Sequence, residues 1–480
     1  MSGRVFIPGH LAPPPGPNLA LLTLSWRLFV AGIFARMLVS QFLLHRLGVP
    51  YDLPGGPFPV KIHPGTYLLC AAFFVGLCAF GNPLRALLEV VRRNPMPAAF
   101  LASMLAMFTW AILRHGTDGQ AYFIDTLLAP GIALLTMLMQ PRSRQRWLLG
   151  AMILALALNA VIALGEAALG KRLIPLFTGR EGIVEEHHFR ASALIGHPLA
   201  NAKQTVMLLP LLALLPWALG LRAGLFLLFA LALLAFGSRA SMAMGLLLGL
   251  LALLPLALAT VRGRLSYLQI TGALVGVALV AAALAGVVAT TSLGERIVQG
   301  LNWDNSANVR LLSFRVLDHV NGEDFWFGVP VDRIETIAGL VGIDLRYEAI
   351  ENFWIVLLAQ LGLVGFCIFL LGLTLALVHV WRISRLPARL ALIVYFTVAS
   401  GSNTLASKTP SFTLLLVALH SAAVVAPRRD DARPAAAAAP HGPAGIRLRS
   451  PGLARSAHPK AGAHRLGSQP SPLAGPGAAR

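Results

Sequence analysis

Between Leu19 and Ala426 the chain offers one apolar stretch of helix-spanning length after another, broken by short polar connections. A hydrocarbon core of ~30 Å is crossed by about 20 such residues in a helix. Backbone groups inside lipid must pair within their own segment, so helices are the element these runs can form. Charged residues make up 12% of the sequence and mean hydropathy is +0.72. A soluble domain runs near a quarter charged, so a large soluble core is excluded. The expected fold is all-α, a polytopic transmembrane bundle of about twelve helices. The candidates are 19–44, 65–81, 95–113, 121–140, 147–169, 199–219, 222–237, 239–260, 266–291, 351–381, 387–403 and 411–426. The break between the seventh and eighth rests on Gly237-Ser238-Arg239 alone.

Arginine placement orients the bundle. One set of connections carries Arg85, Arg92 and Arg93, then Arg142, Arg144 and Arg146, Arg222, Arg262 and Arg264, and Arg382, Arg385 and Arg389. The short connections of the other set carry far fewer. Basic loops stay cytoplasmic, and an even helix count then places both termini in the cytoplasm of a bacterial inner-membrane protein. Residues 1–18 form a short cytoplasmic segment, and 19–426 the membrane domain. The Pro-, Ala-, Gly- and Arg-rich residues 427–480 are expected to be a disordered basic tail, too poor in large apolar groups to fold. The first apolar span carries Arg27 and Arg36 and lacks a small-residue cleavage site, so it reads as a retained helix. Arg36 lies near mid-helix and must face protein or water.

The net charge of +19 falls in clusters between spans and in the tail. No basic stripe interleaved with aromatics is present, so nucleic acid is not an expected partner. Cys70, Cys78 and Cys367 all lie inside apolar spans and are expected to be small buried hydrophobes. No internal repeat is evident, unlike many transporters.

Two connections on the extracytoplasmic side are long, about 170–198 and 292–350. The second carries many carboxylates, and its apolar spacing (Val309, Leu312, Val316) suggests short amphipathic helices at the membrane surface. Four polar groups stand out near that boundary. Arg190 precedes Gly196-His197-Pro198; the arginine can grip phosphate, and the following helix start favours anions. Lys203, one turn on, adds charge or snorkels. Ser238-Arg239 sits on an apolar hairpin. Arg310 and Arg315 flank Phe314 in the large loop, either as surface ion pairs or as phosphate ligands. Glu351-Asn352 opens the tenth helix, where a carboxylate is favoured even without a function. Glu185-Glu186-His187-His188 lacks zinc-site spacing, and no metal or other cofactor is expected.

In order and spacing these groups resemble the O-antigen ligase and polymerase superfamily of bacterial envelope enzymes, and within it the VpsF-like exopolysaccharide biosynthesis proteins. The resemblance rests on Arg190 with Gly196-His197-Pro198 (Leu199 stands where an Asn is usual), Ser238-Arg239, Arg310 with Phe314, and Glu351-Asn352 followed by Gln360, Gly362 and Gly365. It implies metal-independent glycosyl transfer from a polyprenyl-diphosphate-linked oligosaccharide, beside membrane lipid and other polysaccharide assembly or export proteins. Arg190, His197, Arg239, Arg315 and Asn352 would bind substrate. Arg310 would hold the diphosphate, and Glu351 would be the base, with Glu348 or His319 in reserve. Ligases of this superfamily carry His where this chain has Glu351, which favours a polymerase over a ligase. A lipid-linked sugar or anion transporter is the alternative of another class.

Overall fold

The computed structural model describes residues 16–52, 56–117, 119–178, 182–183, 189–262, 305–343 and 350–425, with isolated positions 271, 282 and 286. Asn18 opens the first helix by accepting the Ala20 and Leu21 amides on its side chain, which satisfies donors a helix start leaves free. Helix α1 runs Leu19–Leu38, α2 Gln41–Arg46, α3 Pro64–Cys78, α4 Pro83–Arg93 and α5 Pro95–His115. A π-helical turn, Phe123–Leu128, leads into α6 (Ala129–Met139). Then come α7 (Arg142–Gln145), α8 (Leu148–Leu169), α9 (Pro198–Leu208), α10 (Leu219–Phe236) and α11 (Arg239–Val261). Short helices α12 (Asn305–Arg315), α13 (Glu323–Phe327) and α14 (Val331–Leu340) precede α15 (Phe353–Ile383), α16 (Leu386–Ser400) and α17 (Ser411–Val425). Among the described residues the only sheet is a pair of two-residue antiparallel strands, Phe177–Thr178 with Gly182–Ile183.

Five helical segments are long and apolar enough to cross a membrane: Leu19–Leu38, Pro95–His115, Arg142–Leu169, Leu219–Phe236 and Phe353–Ile383. Helices α3 and α4 qualify as a sixth if taken together, although they bend by 102° between them. Shorter apolar helices cover Phe123–Met139, Arg239–Leu254, Leu386–Ser400 and Ser411–Val425. The chain is a multi-pass helical membrane protein. Apart from the isolated positions 271, 282 and 286, the span expected over 266–291 lies outside the described residues, as does the tail.

Small residues set the packing. A Cβ on Gly32 of α1 would come within 2.9 Å of the Gly65 carbonyl on α3, the kind of backbone approach that lets membrane helices pair tightly. Where α5 meets α15, a Cβ on Gly372 would meet Ser103 Cβ at 2.7 Å. Phe29, Phe100, Phe123, Phe229, Phe353 and Phe412 fill the interior, while Leu105, Leu113, Leu154 and Leu158 point outward into what would be lipid.

Several boundaries differ from expectation. The span expected over 65–81 ends at Cys78, and Asn82 caps a new amphipathic helix, with Pro83 fixing its first turn. The span expected over 199–219 keeps α-helical geometry to Leu208 and then tightens into a 3₁₀ turn, Leu209–Leu214, where Pro210 cannot donate to the preceding turn. Cys70 and Cys367 are exposed on the outer faces of their helices and Cys78 is half-buried, so they are not buried hydrophobes. The break at Gly237-Ser238-Arg239 is present: Gly237 ends α10 in a left-handed conformation and α11 starts at Arg239.

Helix α15 is itself broken. Gly362 adopts φ 65°, ψ 175° inside it. The interruption frees the Ala359 carbonyl, which accepts the Val329 amide at 2.9 Å. Gly328 fits against the break so closely that a Cβ there would lie 2.2 Å from the Gln360 carbonyl oxygen. The segment 323–340 is thereby fastened to the bundle.

Candidate functional site

The C-terminal ends of α1, α5, α10 and α16 and the N-terminal ends of α3, α9, α11, α15 and α17 all border one cavity of about 1950 Å³. Successive helices alternate in direction, so one end of the bundle is hollowed. Arg190, His197, Arg239, Arg310 and Glu351 line this space together, although they come from segments far apart in sequence. Arg315 and Asn352 do not. Arg315 is exposed at the end of α12, outside the lining. Asn352 caps α15, its side chain accepting the amides of Trp354 (3.0 Å) and Ile355 (3.4 Å), and that local geometry accounts for it. His319 is exposed and also outside the lining, and Glu348 lies outside the described residues.

The turn that carries Arg190 is built from below. Glu166, buried near the end of α8, accepts the amides of Leu173 (2.7 Å), Ser192 (2.8 Å) and Ala193 (2.9 Å). Ala193 has φ 41°, a conformation costly for a residue with a Cβ, and the carboxylate holding its amide keeps it there. Asn159, also on α8, accepts the Leu194 amide and donates to Asn201, which donates in turn to the Ser192 carbonyl at 2.6 Å. Gly196 (φ 86°) must be glycine, because a Cβ would stand 2.5 Å from Ser40 Cβ. Arg190's own carbonyl receives Arg172 Nε at 2.9 Å.

His197 ends this turn as the N-cap of α9, with Nδ1 accepting the Leu199 amide at 3.2 Å. Its side chain is exposed to the cavity, which is itself sunk into the end of the bundle. Desolvation there first, then the charges of Arg190, Lys203 and Arg172, holds its imidazole down at about 4. It is therefore neutral near pH 7, and the cap is consistent with a bare Nδ1.

Arg310 and Glu351 are not independent groups. Arg310 Nη2 lies 2.7 Å from Glu351 Oε2, and both side chains are partly exposed to the cavity. The carboxylate steadies the guanidinium at the place where α15 begins. A different stretch of the wall comes from α13 and α14 and their approach, with Asp332, Glu335 and Asp324, the last paired to Arg333 at 2.7 Å.

One group in this region was expected only as added charge or a snorkelling side chain, and a second was not anticipated at all. Lys203 neither reaches open water nor snorkels: it is 6% exposed, lines the cavity floor and donates to Thr404 Oγ1 on the connection between α16 and α17. Asp125, in the π-helical turn, is fully buried and pairs with Arg36 at 3.2 Å. Its carboxylate also accepts from Tyr51 Oη (2.8 Å), Thr66 Oγ1 and the His63 amide (3.1 Å). A second guanidinium nitrogen of Arg36 donates to the Asp125 carbonyl and, at 3.5 Å, to Thr409 O. This cluster ties α1, α3, α6 and the segment before α17 together directly beside the cavity, where Arg36, Tyr51 and His63 are lining residues. The expectation that Arg36 faces protein is met through a partner 89 residues away. A lone acid inside an apolar run was the available signal, since such residues in membrane helices nearly always have a partner.

No protein-family model matches the chain, and a search of curated proteins returns no match. The fold and cavity define a multi-pass helical membrane protein whose bundle ends surround a charged, polar chamber.

Proposed function

We propose that this protein polymerises glycan repeat units carried on a polyprenyl diphosphate, at the extracytoplasmic face of a bacterial inner membrane. One observation carries the reading: Arg190, Arg239 and Arg310, from three separate segments, line a single cavity with the buried Lys203. A doubly phosphorylated leaving group needs such a set of cations, and guanidinium forks match phosphate oxygens.

The side of the membrane follows from the same alternation. Arg85, Arg92 and Arg93, Arg142, Arg144 and Arg146, and Arg382, Arg385 and Arg389 belong to connections at the helix ends away from the cavity. The positive-inside rule makes that end cytoplasmic. In the twelve-helix plan both termini are then cytoplasmic, and the connection before α15, whose described residues Arg310, Asp324 and Asp332 line the cavity, is extracytoplasmic.

In the reaction an acceptor-sugar hydroxyl attacks the anomeric carbon of the donor, and the lipid diphosphate departs with the bonding electrons. Positively charged donors held where that charge develops lower the barrier without a metal. Arg310, steadied by Glu351, is suited to the leaving group; Arg190 and Arg239 extend the same cationic wall. The resemblance to O-antigen ligases and polymerases supports this reading, and Glu351 in the position of the ligase histidine favours polymerisation over transfer to a different acceptor.

The test is purified protein in proteoliposomes with a polyprenyl-diphosphate oligosaccharide. Longer glycans together with free lipid diphosphate are expected. Movement of intact donor across the bilayer without elongation would make the protein a transporter instead.

A further inference from the structure

Resting on the polymerase reading, the inference concerns where the proton of the attacking hydroxyl goes. Glu351 is poorly placed to take it, because its Oε2 is already engaged by Arg310 at 2.7 Å.

Lys203 is in the opposite situation. Its ammonium is 6% exposed, and among the described residues its one hydrogen-bond partner is the hydroxyl of Thr404. The same cavity is lined by Arg190 and His197 ahead of α9, Arg239 at the start of α11, Lys408 beyond Thr404, which pairs with Asp52 at 3.6 Å, and Glu351, which pairs with Arg310. Among the described residues no carboxylate lies within ion-pair distance of Lys203. Burial disfavours an ammonium, and with no carboxylate beside it a lysine so placed is a ready proton acceptor. The Thr404 hydroxyl lies within hydrogen-bond distance of the Ser402 hydroxyl, and both residues open onto the cavity. The connection is fixed from both sides, by the Phe353 amide donating to the Ser402 carbonyl at 3.0 Å and by Thr409 Oγ1 donating to the Thr404 carbonyl at 2.9 Å.

We propose that Lys203, through the Thr404 and Ser402 hydroxyls, is the general base of the transfer. The sugar oxygen forms its bond to the anomeric carbon as the bond from that carbon to the phosphate oxygen breaks. The electron pair leaves on the lipid diphosphate. The hydroxyl proton passes along Ser402 and Thr404 to Nζ, turning the amine into an ammonium, which then stands beside the newly formed anion.

Lys203→Arg separates a base from a fixed charge. Arginine keeps the cation and cannot give up its proton, so it rescues an anion-binding role but not a basic one. With the full chain in proteoliposomes and a polyprenyl-diphosphate oligosaccharide, Lys203→Arg and Lys203→Met are each expected to lose about 100-fold or more in kcat. KM should change little, and the acidic limb of the pH–rate profile should disappear from the residual activity. A second measurement uses unmodified protein: acetic anhydride labelling against pH, read by mass spectrometry. Lys203 is expected to become reactive at lower pH than the exposed Lys171. Near-normal kcat in Lys203→Arg overturns the proposal, as does labelling of Lys203 in step with Lys171. Absence of elongation by the unmodified protein would remove the polymerase reading, and with it the base role; the labelling would then still show whether Lys203 holds a neutral amine.

Discussion

Removing either member of the Arg36–Asp125 pair should be among the most destabilising single changes available in this protein. Both side chains are buried, at 3% and 0% exposure, and each satisfies groups on several helices. Arg36→Met would leave a carboxylate held by Tyr51, Thr66 and the His63 amide but with no countercharge. Asp125→Asn would leave a guanidinium with no countercharge and would turn an amide donor toward groups that themselves donate. An uncompensated buried charge costs about 3–5 kcal/mol, so each single variant should lose that much. The double variant removes both charges at once and should cost about as much as one single, a coupling of about 3–5 kcal/mol between the two sites. The assay is reversible unfolding in mixed detergent micelles, followed by tryptophan fluorescence, for the four proteins of the cycle. A single variant costing under about 1 kcal/mol, or a double variant equal to the sum of the singles, would refute the reasoning.

Gly328→Ala should lose about 3 kcal/mol or more, since the left-handed backbone (φ 85°) and the 2.2 Å approach to a backbone oxygen leave a methyl nowhere to go; the same unfolding assay checks it. Glu166→Gln has one oxygen where two accept three amides, so it should cost about 1–3 kcal/mol and lower glycan-elongation activity by displacing the Arg190 turn. Arg310→Ala should reduce elongation by two to three decades, about 3–4 kcal/mol of barrier, with membrane insertion normal; full yield in vivo would take Arg310 out of the site. His63 donates Nε2–H to the Val39 carbonyl and accepts the Gly65 amide on Nδ1, and burial pushes its imidazole down to about 4. Between about pH 6.5 and 4 the unfolded chain therefore binds a proton that the folded chain refuses. Stability should fall as pH drops through that window, by up to ~1.4 kcal/mol per pH unit from this group, and His63→Gln should flatten the slope.

Much of the bundle was legible because a membrane imposes a length on every crossing and an arginine bias on one side. The face each helix turns inward was not. In a uniformly apolar helix no polar stripe marks the outside, so Cys70 and Cys367 read as buried although they point outward. Helix α4 was missed despite its Asn82-Pro83 start, because a basic stretch between apolar runs looks like a loop when spans are sought. Within the site, Arg190, His197, Arg239, Arg310 and Glu351 could be nominated from residue type and position near the boundary. Asn352 showed the limit of that approach, since a helix cap and a ligand look alike in sequence. Pairings were illegible: Asp125 answers a residue 89 positions away, Lys203 one 201 positions away, and Glu351 an arginine in the preceding connection.

The three amides gathered on Glu166 give the cavity an unusual kind of foundation. The backbone that presents Arg190 is keyed to a side chain rooted in α8, so its coordinates are inherited from the bundle instead of from the connection that delivers it.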